Sequence, residues 1–160
     1  MARIDPQQAL MPTVLDRLID HDSAGTAWKR GYSVEQMVDA VQRDLEDLLN
    51  TRQSYTDLPE AFNDLRGSII GYGLPDLASL NAFTQQQRED IGRVLEASIA
   101  RFEPRLKDVR ASLLSPSDAK ERTLKFRIEA RLCLDPAPEV VFDTVLEMYT
   151  GRYSVSQVES

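Results

Sequence analysis

Hydrophobic positions change their spacing partway along this chain. Up to Phe102 they recur every three or four residues, which places them on one face of a helix, and from Val109 onward every second residue, as in a strand. Pro12 opens a first amphipathic helix, Thr13 to Asp20, with Val14, Leu15, Leu18 and Ile19 on one face. A polar, turn-like stretch, His21 to Thr26, leads to Trp28, which reads as a core or interface plug, and to Gly31. Ser33-x-x-Gln36 has the spacing of a capping box, and Val38, Val41, Leu45 and Leu48 behind it predict a helix ending near Asn50. Asp44, Glu46 and Asp47 fall largely off that stripe and read as solvated. Residues 51–83 are the least regular: Leu58 to Phe62 would start a short helical turn ending by Gly67, and Gly71 to Leu77 reads as a loop. The clearest helix runs from Gln85 to Phe102. Thr84-x-x-Gln87 caps it, Ile91, Val94, Leu95, Ile99 and Phe102 form its apolar face, and Pro104 terminates it.

Beyond Pro104 the two-residue period takes over. Val109, Ala111 and Leu113 alternate with polar residues, and a loop around Ser115 to Asp118 follows. Leu124, Phe126, Ile128, Ala130, Leu132 and Leu134 then share one face of a strand, with Lys125, Arg127, Glu129 and Arg131 on the other. Asp135-Pro136-Ala137-Pro138 is a turn and Val140 to Met148 the next strand. Pairing Leu134 with Val140 sets Leu132 opposite Phe142, Arg131 opposite Asp143 and Arg127 opposite Glu147, so this register is expected. A last short strand, Tyr153 to Gln157, would lie at the sheet edge with unpaired backbone groups that invite strand addition by another chain. The expected fold is α+β, with N-terminal amphipathic helices packed on one face of a C-terminal antiparallel sheet of about three to four strands. Residues 1–11 read as a flexible N-terminus and 12–157 as a single domain.

Composition narrows the function classes. The 160 residues suit one domain, and 42% hydrophobic content supplies a core. No apolar run is long enough to span a membrane and no secretory leader is evident, so a soluble, cytoplasmic protein without direct membrane insertion is expected. The net charge of -7 weighs against nucleic-acid binding. Charge is uneven, however. Residues 1–80 carry 7 basic and 13 acidic side chains, residues 101–131 carry 9 and 5, and residues 132–160 carry 1 and 5. Cross-strand pairing accounts for much of the basic middle, leaving little of it for a ligand.

Candidate chemistry is sparse. One cysteine, Cys133, and one histidine, His21, build neither a disulfide nor the usual zinc or nucleophile sites, so no cofactor or metal is expected. His21 lacks a serine elbow, and Cys133 reads as an inert thiol. Gly71 and Gly73 lack phosphate-loop spacing. For glycoside hydrolysis the one carboxylate worth nominating is Glu103, at the helix-to-strand corner, and Arg105 two residues on would oppose its protonation. No catalytic residue is assigned.

Phe102-Glu103-Pro104-Arg105-Leu106, preceded by an amphipathic helix and followed by alternating strands, resembles the signature of the phage baseplate wedge (lysozyme-like) family. Three further pieces, Pro12 to Leu18, Leu48 to Arg52 and Tyr72 to Leu77, resemble its bacterial branch, the TssE family of small type VI secretion baseplate subunits. The resemblance spans about Pro12 to Gln157. It implies a structural subunit that joins TssF, TssG and TssK in the wedge at the cytoplasmic face of the inner membrane. It also implies help in nucleating the contractile TssB–TssC sheath, for which strand addition at the C-terminal edge, read above from the edge strand itself, is a separate expectation of route. It further implies that Glu103, Pro104 and Arg105 bind a partner and hold the subunit in the wedge. From the residues alone two roles stay open for them: a grip on a partner, or a brace of the helix–sheet junction. A peptidoglycan-cleaving enzyme and an anti-adaptor-type regulator are the alternative readings from the same superfamily.

Overall fold

A computed structural model of the chain describes residues 11–19, 32–54, 61–75, 85–114, 123–134, 137–147 and 150–158. Expectations for His21, Trp28, the Thr84 cap, residues 1–10 and the Leu58 to Glu60 part of the helical turn expected to end by Gly67 lie outside the described residues.

Helices come first and strands last. α1 is Val14–Ile19, α2 Val34–Asn50, α3 Asn63–Arg66, and a 3-10 turn covers Ile69–Gly71 before α4, Gln85–Phe102. The strands β1 (Leu106–Leu113), β2 (Thr123–Leu132), β3 (Glu139–Glu147) and β4 (Arg152–Gln157) form one antiparallel meander in that order. α2 and α4 cover the inner face of the sheet, α2 over β4 and α4 over β1. The α+β expectation therefore holds.

The capping box at Ser33 is present in full. The Ser33 hydroxyl accepts from the Gln36 N–H at 3.2 Å, and the Gln36 side chain accepts from the Ser33 N–H at 2.9 Å. α2 then buries Val38, Val41, Leu45 and Leu48, and α4 buries Ile91, Leu95 and Ile99. They meet Phe126, Ile128, Leu132 and Phe142 from the inner sheet face, closing one hydrophobic core. Thr144 is buried among them because its hydroxyl donates to the Phe126 carbonyl at 3.1 Å.

Two expectations are corrected. In the β2–β3 pair Ile128 faces Phe142, Ala130 faces Val140 and Arg127 faces Asp143, so the expected register is displaced by four residues. β2 stops at Leu132, and the connection to β3 takes up Cys133 through Pro138, longer than a tight turn. An even displacement leaves every side chain on the face its alternation indicates, so alternation defines the core face without defining the pairing. Arg127 bonds Asp143 at 2.8 and 3.1 Å, whereas the Arg131 side chain reaches Asp108 on β1.

The other correction concerns α1. Its apolar face points outward: Val14, Leu15, Leu18 and Ile19 are all exposed, Leu18 to 76%, and the buried residue is Asp16. Thr13 caps the helix, with Pro12 one position further out.

Between α2 and α4 the chain is pinned by a parallel bridge, Arg52 to Leu74, with Leu74 N–H donating to Thr51 O and Gln53 N–H to Leu74 O, both at 2.8 Å. Gly73 makes this possible. It sits at φ +105, and a Cβ there would lie 2.4 Å from the Thr51 carbonyl oxygen. Gly73→Ala is expected to lower stability by about 1–3 kcal/mol in urea unfolding through strain at this one residue; an unchanged midpoint would show that the bridge tolerates rearrangement.

Candidate partner-binding site

Helix α4 gives way to β1 over three residues. Glu103 N–H closes the last helical turn on Ile99 O at 2.8 Å, Pro104 prevents continuation, and Leu106 N–H returns to Glu103 O at 3.1 Å. This corner turns Glu103 inward, 4% exposed, and leaves Pro104 on the surface. A buried carboxylate is costly unless paired, and Arg105 supplies the pair. Its Nε donates to Glu103 Oε1 at 2.7 Å and its Nη2 to Oε2 at 2.5 Å, a fork-on-fork contact. The Arg105 N–H adds a third bond to Oε1 at 3.2 Å.

The same Nη2 donates to Asp44 Oδ2 on α2 at 2.6 Å. Asp44 Oδ1 accepts from Arg43 Nη2 at 2.7 Å, and that Nη2 also reaches Asp16 Oδ1 on α1 at 2.5 Å. A continuous ion-pair chain, Glu103–Arg105–Asp44–Arg43–Asp16, thus joins the corner, α2 and α1. Asp16 completes its own shell with the Thr13 N–H and hydroxyl, each at 2.8 Å. Burial by itself would lower the basicity of Arg105, but Glu103 and Asp44 outweigh it and raise its pKa above the ordinary guanidinium value. Burial likewise works to raise the Asp16 carboxyl, and the bonds from Arg43 and Thr13 prevail, holding it below the usual carboxylate range.

Of the residues expected to form the site, all three sit together, with different exposure. Glu103 is enclosed, Arg105 keeps 21% of its side chain accessible, and Pro104 is open to solvent. Cys133 belongs to the corner as well: its thiol lies 3.2 Å from the Pro104 carbonyl and its N–H donates to Arg105 O at 2.8 Å. Asp44, read from periodicity as solvated, is instead the link between helix and corner. Nothing local signalled that role, because its partner Arg105 lies 61 residues away in sequence.

Beside the corner lies an open groove of about 510 Å³. Val14, Leu15, Leu48, Tyr72, Phe102 and Pro104 give it apolar walls; Asp44, Asp47, Glu103 and Arg105 line it too, and with Asp44 and Glu103 paired to guanidiniums Asp47 is the carboxylate that leaves it net negative. The Tyr72 and Phe102 rings meet edge to face, 5.3 Å between centroids. The Tyr72 phenol has a raised pKa, from burial first and then from the charges of Asp47, Asp44 and Glu103. Such a surface suits a segment with apolar side chains and a basic residue. Both Glu103 oxygens are engaged by the guanidinium, leaving neither placed to protonate a leaving group. Among the described residues no cluster of three or more His, Cys, Asp or Glu could hold a metal ion, and no helix is long and apolar enough to cross a membrane.

Two outcomes test the ion-pair chain. Arg105→Ala strands the Glu103 carboxylate and is expected to cost about 2–4 kcal/mol in urea unfolding, with Arg105→Lys intermediate. A loss under about 0.5 kcal/mol, the scale of a surface pair, would remove the brace. The depressed Asp16 pKa contributes stability above the unfolded value of about 3.9 and loses it as pH falls through the folded value. Wild type should therefore lose more stability between pH 6 and pH 3 than Asp16→Asn; equal losses would exclude Asp16 from the acid-sensitive groups.

Comparison with known proteins bears on this geometry. No curated protein matches the chain at a significant level. A solved structure, "The baseplate complex from the type VI secretion system", is similar with a TM-score of 0.48 and 16% identity, covering 79% of this chain and 97% of that one. The family described as "Baseplate wedge protein gp25" matches residues 35–137, from the first turn of α2 to the approach to β3, with the Glu103 corner inside the match. The chain belongs to the baseplate wedge protein gp25 family.

Proposed function

We propose that this chain is a TssE-type structural subunit of a type VI secretion baseplate, which joins the wedge with TssF, TssG and TssK at the cytoplasmic face of the inner membrane. It would also help nucleate the TssB–TssC sheath. The observation that carries this reading is family membership over 35–137, joined to the order of the Pro12, Leu48, Tyr72 and Phe102 motifs along the chain. In this reading the partner meets the Glu103-Pro104-Arg105 corner from the groove side. Pro104 and the accessible part of Arg105 offer contact, while Glu103 fixes the guanidinium from behind. The apolar face of α1, held outward by the Asp16–Arg43 pair, extends the same surface.

Because Glu103 and Arg105 brace the fold, their removal confounds binding with stability. Leu15 and Asp47 are exposed and line the groove without a part in the core. Leu15→Asp and Asp47→Lys should each leave the melting curve within a degree or two of wild type and reduce co-purification with TssF–TssG at least tenfold, about 1.4 kcal/mol. Full retention in both variants would take the groove out of the wedge contact.

The sheath role needs a different variant. Tyr153 and Val155 are core residues, so deleting the last strand would remove part of the core. Gln157 is exposed and, by the alternation of the ladder, turns its N–H away from β3. Gln157→Pro should block strand addition without breaking the β3–β4 pairs, lowering TssB–TssC capture while sparing TssF–TssG. Unchanged capture of TssB–TssC would rule out addition at this edge.

A further inference from the structure

Neither outer edge of the sheet is bare. β1 carries a bulge between Lys107 and Arg110, with Asp108 at φ +54, and the outward N–H of Ala111 donates to Glu96 Oε1 on α4 at 2.8 Å. A bulge breaks the even spacing a new strand would need. β4 has no register break. Its bond from Val158 N–H to Val141 O at 2.9 Å sets the alternation, so Tyr153, Val155 and Gln157 turn their backbone groups outward. Two of these positions are occupied by amide side chains of α2. Asn50 Oδ1 accepts from the Tyr153 N–H at 2.9 Å, and Asn50 Nδ2 donates to the Tyr153 carbonyl at 2.8 Å. Gln42 Nε2 donates to the Val155 carbonyl at 3.0 Å. The expectation of unpaired groups is thereby corrected at the Tyr153 N–H and carbonyl and at the Val155 carbonyl.

One amide that both gives and accepts at a single residue reproduces what a neighbouring strand would supply there. The second Nδ2 hydrogen of Asn50 goes to Glu46 O at 2.9 Å, so one orientation of the amide satisfies all its partners. We propose that Asn50 and Gln42 form a latch on a strand-accepting edge: they stand in for a fifth strand at Tyr153 and Val155, and an incoming extended segment must displace them to pair with β4. The latch rests on the strand-addition reading given above. Each latch bond has a one-for-one replacement in the backbone of the incoming strand, so the exchange retains every hydrogen bond of β4 and releases two neutral side chains to water. The bulged β1 edge offers no such exchange. The occupant is an extended backbone segment, recognised by main-chain bonds, and the latch keeps the edge closed to strands that bind too weakly to displace it.

The test uses full-length protein, with TssB–TssC as the probe. Gln42→Ala with Asn50→Ala should bind about tenfold more tightly than wild type, with the Tyr153 amide exchanging at least tenfold faster in the unbound variant. Asn50→Asp keeps the acceptor for the Tyr153 N–H and loses the donor to its carbonyl, so a smaller gain is expected; with Gln42→Ala alone it carries the test if the double variant does not fold. Unchanged or weaker binding in the folded variants, with Gln157→Pro still abolishing capture by wild type, overturns the latch and leaves strand addition standing. If Gln157→Pro abolishes nothing in either background, strand addition falls and the latch falls with it.

Discussion

The guanidinium of Arg105 holds this structure's junctions together. Pro104 forces the chain to turn at the end of α4, and the turn puts a carboxylate, Glu103, inside the protein. That placement is tolerable only with a bidentate cation beside it, and a cation so buried needs a second acceptor in turn. Asp44 provides it, which ties the corner to α2, and Arg43 and Asp16 pass the connection on to α1. Helix α4, strand β1, helix α2 and helix α1 are thereby set relative to one another by one chain of charges along the rim of a core that is otherwise apolar.

This arrangement braces the fold and is compatible with the proposed partner-binding role of the Glu103-Pro104-Arg105 corner. A side chain that grips a partner must be held still beforehand, or its ordering subtracts from the binding. Glu103 immobilises Arg105 from inside, while Arg105 and the exposed Pro104 line the groove. Bracing the fold and presenting a rigid surface are then the same arrangement seen from its two sides. α1 follows the same logic: its polar side is consumed by Arg43 and Thr13, so its apolar side faces solvent. An amphipathic helix worn inside out is uncommon on a monomer and usual where a larger assembly covers the apolar face.

A second constraint comes from placing all the sheet-covering helices on one side. A four-stranded meander has two edges, and helices lying over it can reach around to both. Glu96 does so for β1, and Asn50 and Gln42 do so for β4. The difference between the edges lies in the backbone: β1 is irregular and β4 is regular. A regular edge can exchange side-chain partners for main-chain ones without loss, and an irregular edge cannot.

Much of this was legible in the sequence. Spacing by threes and fours with the Ser33 and Gln36 cap placed α2, Pro104 placed the end of α4, and strict alternation placed Phe126, Ile128 and Phe142 on the inner face, because periodicity and capping are local. The corner itself was legible as three adjacent residues. Tertiary structure alone decided the β2–β3 register, since alternation repeats every two residues and cannot distinguish displacements by an even number. It alone turned α1 outward, with the buried Asp16 paired to the half-exposed Arg43 and the apolar stripe left on the solvent side. And it alone recruited Asp44 to Arg105 and Asn50 to Tyr153, residues 61 and 103 positions apart, whose meeting depends on the packing of α2 across the sheet and leaves no trace in either neighbourhood of the chain.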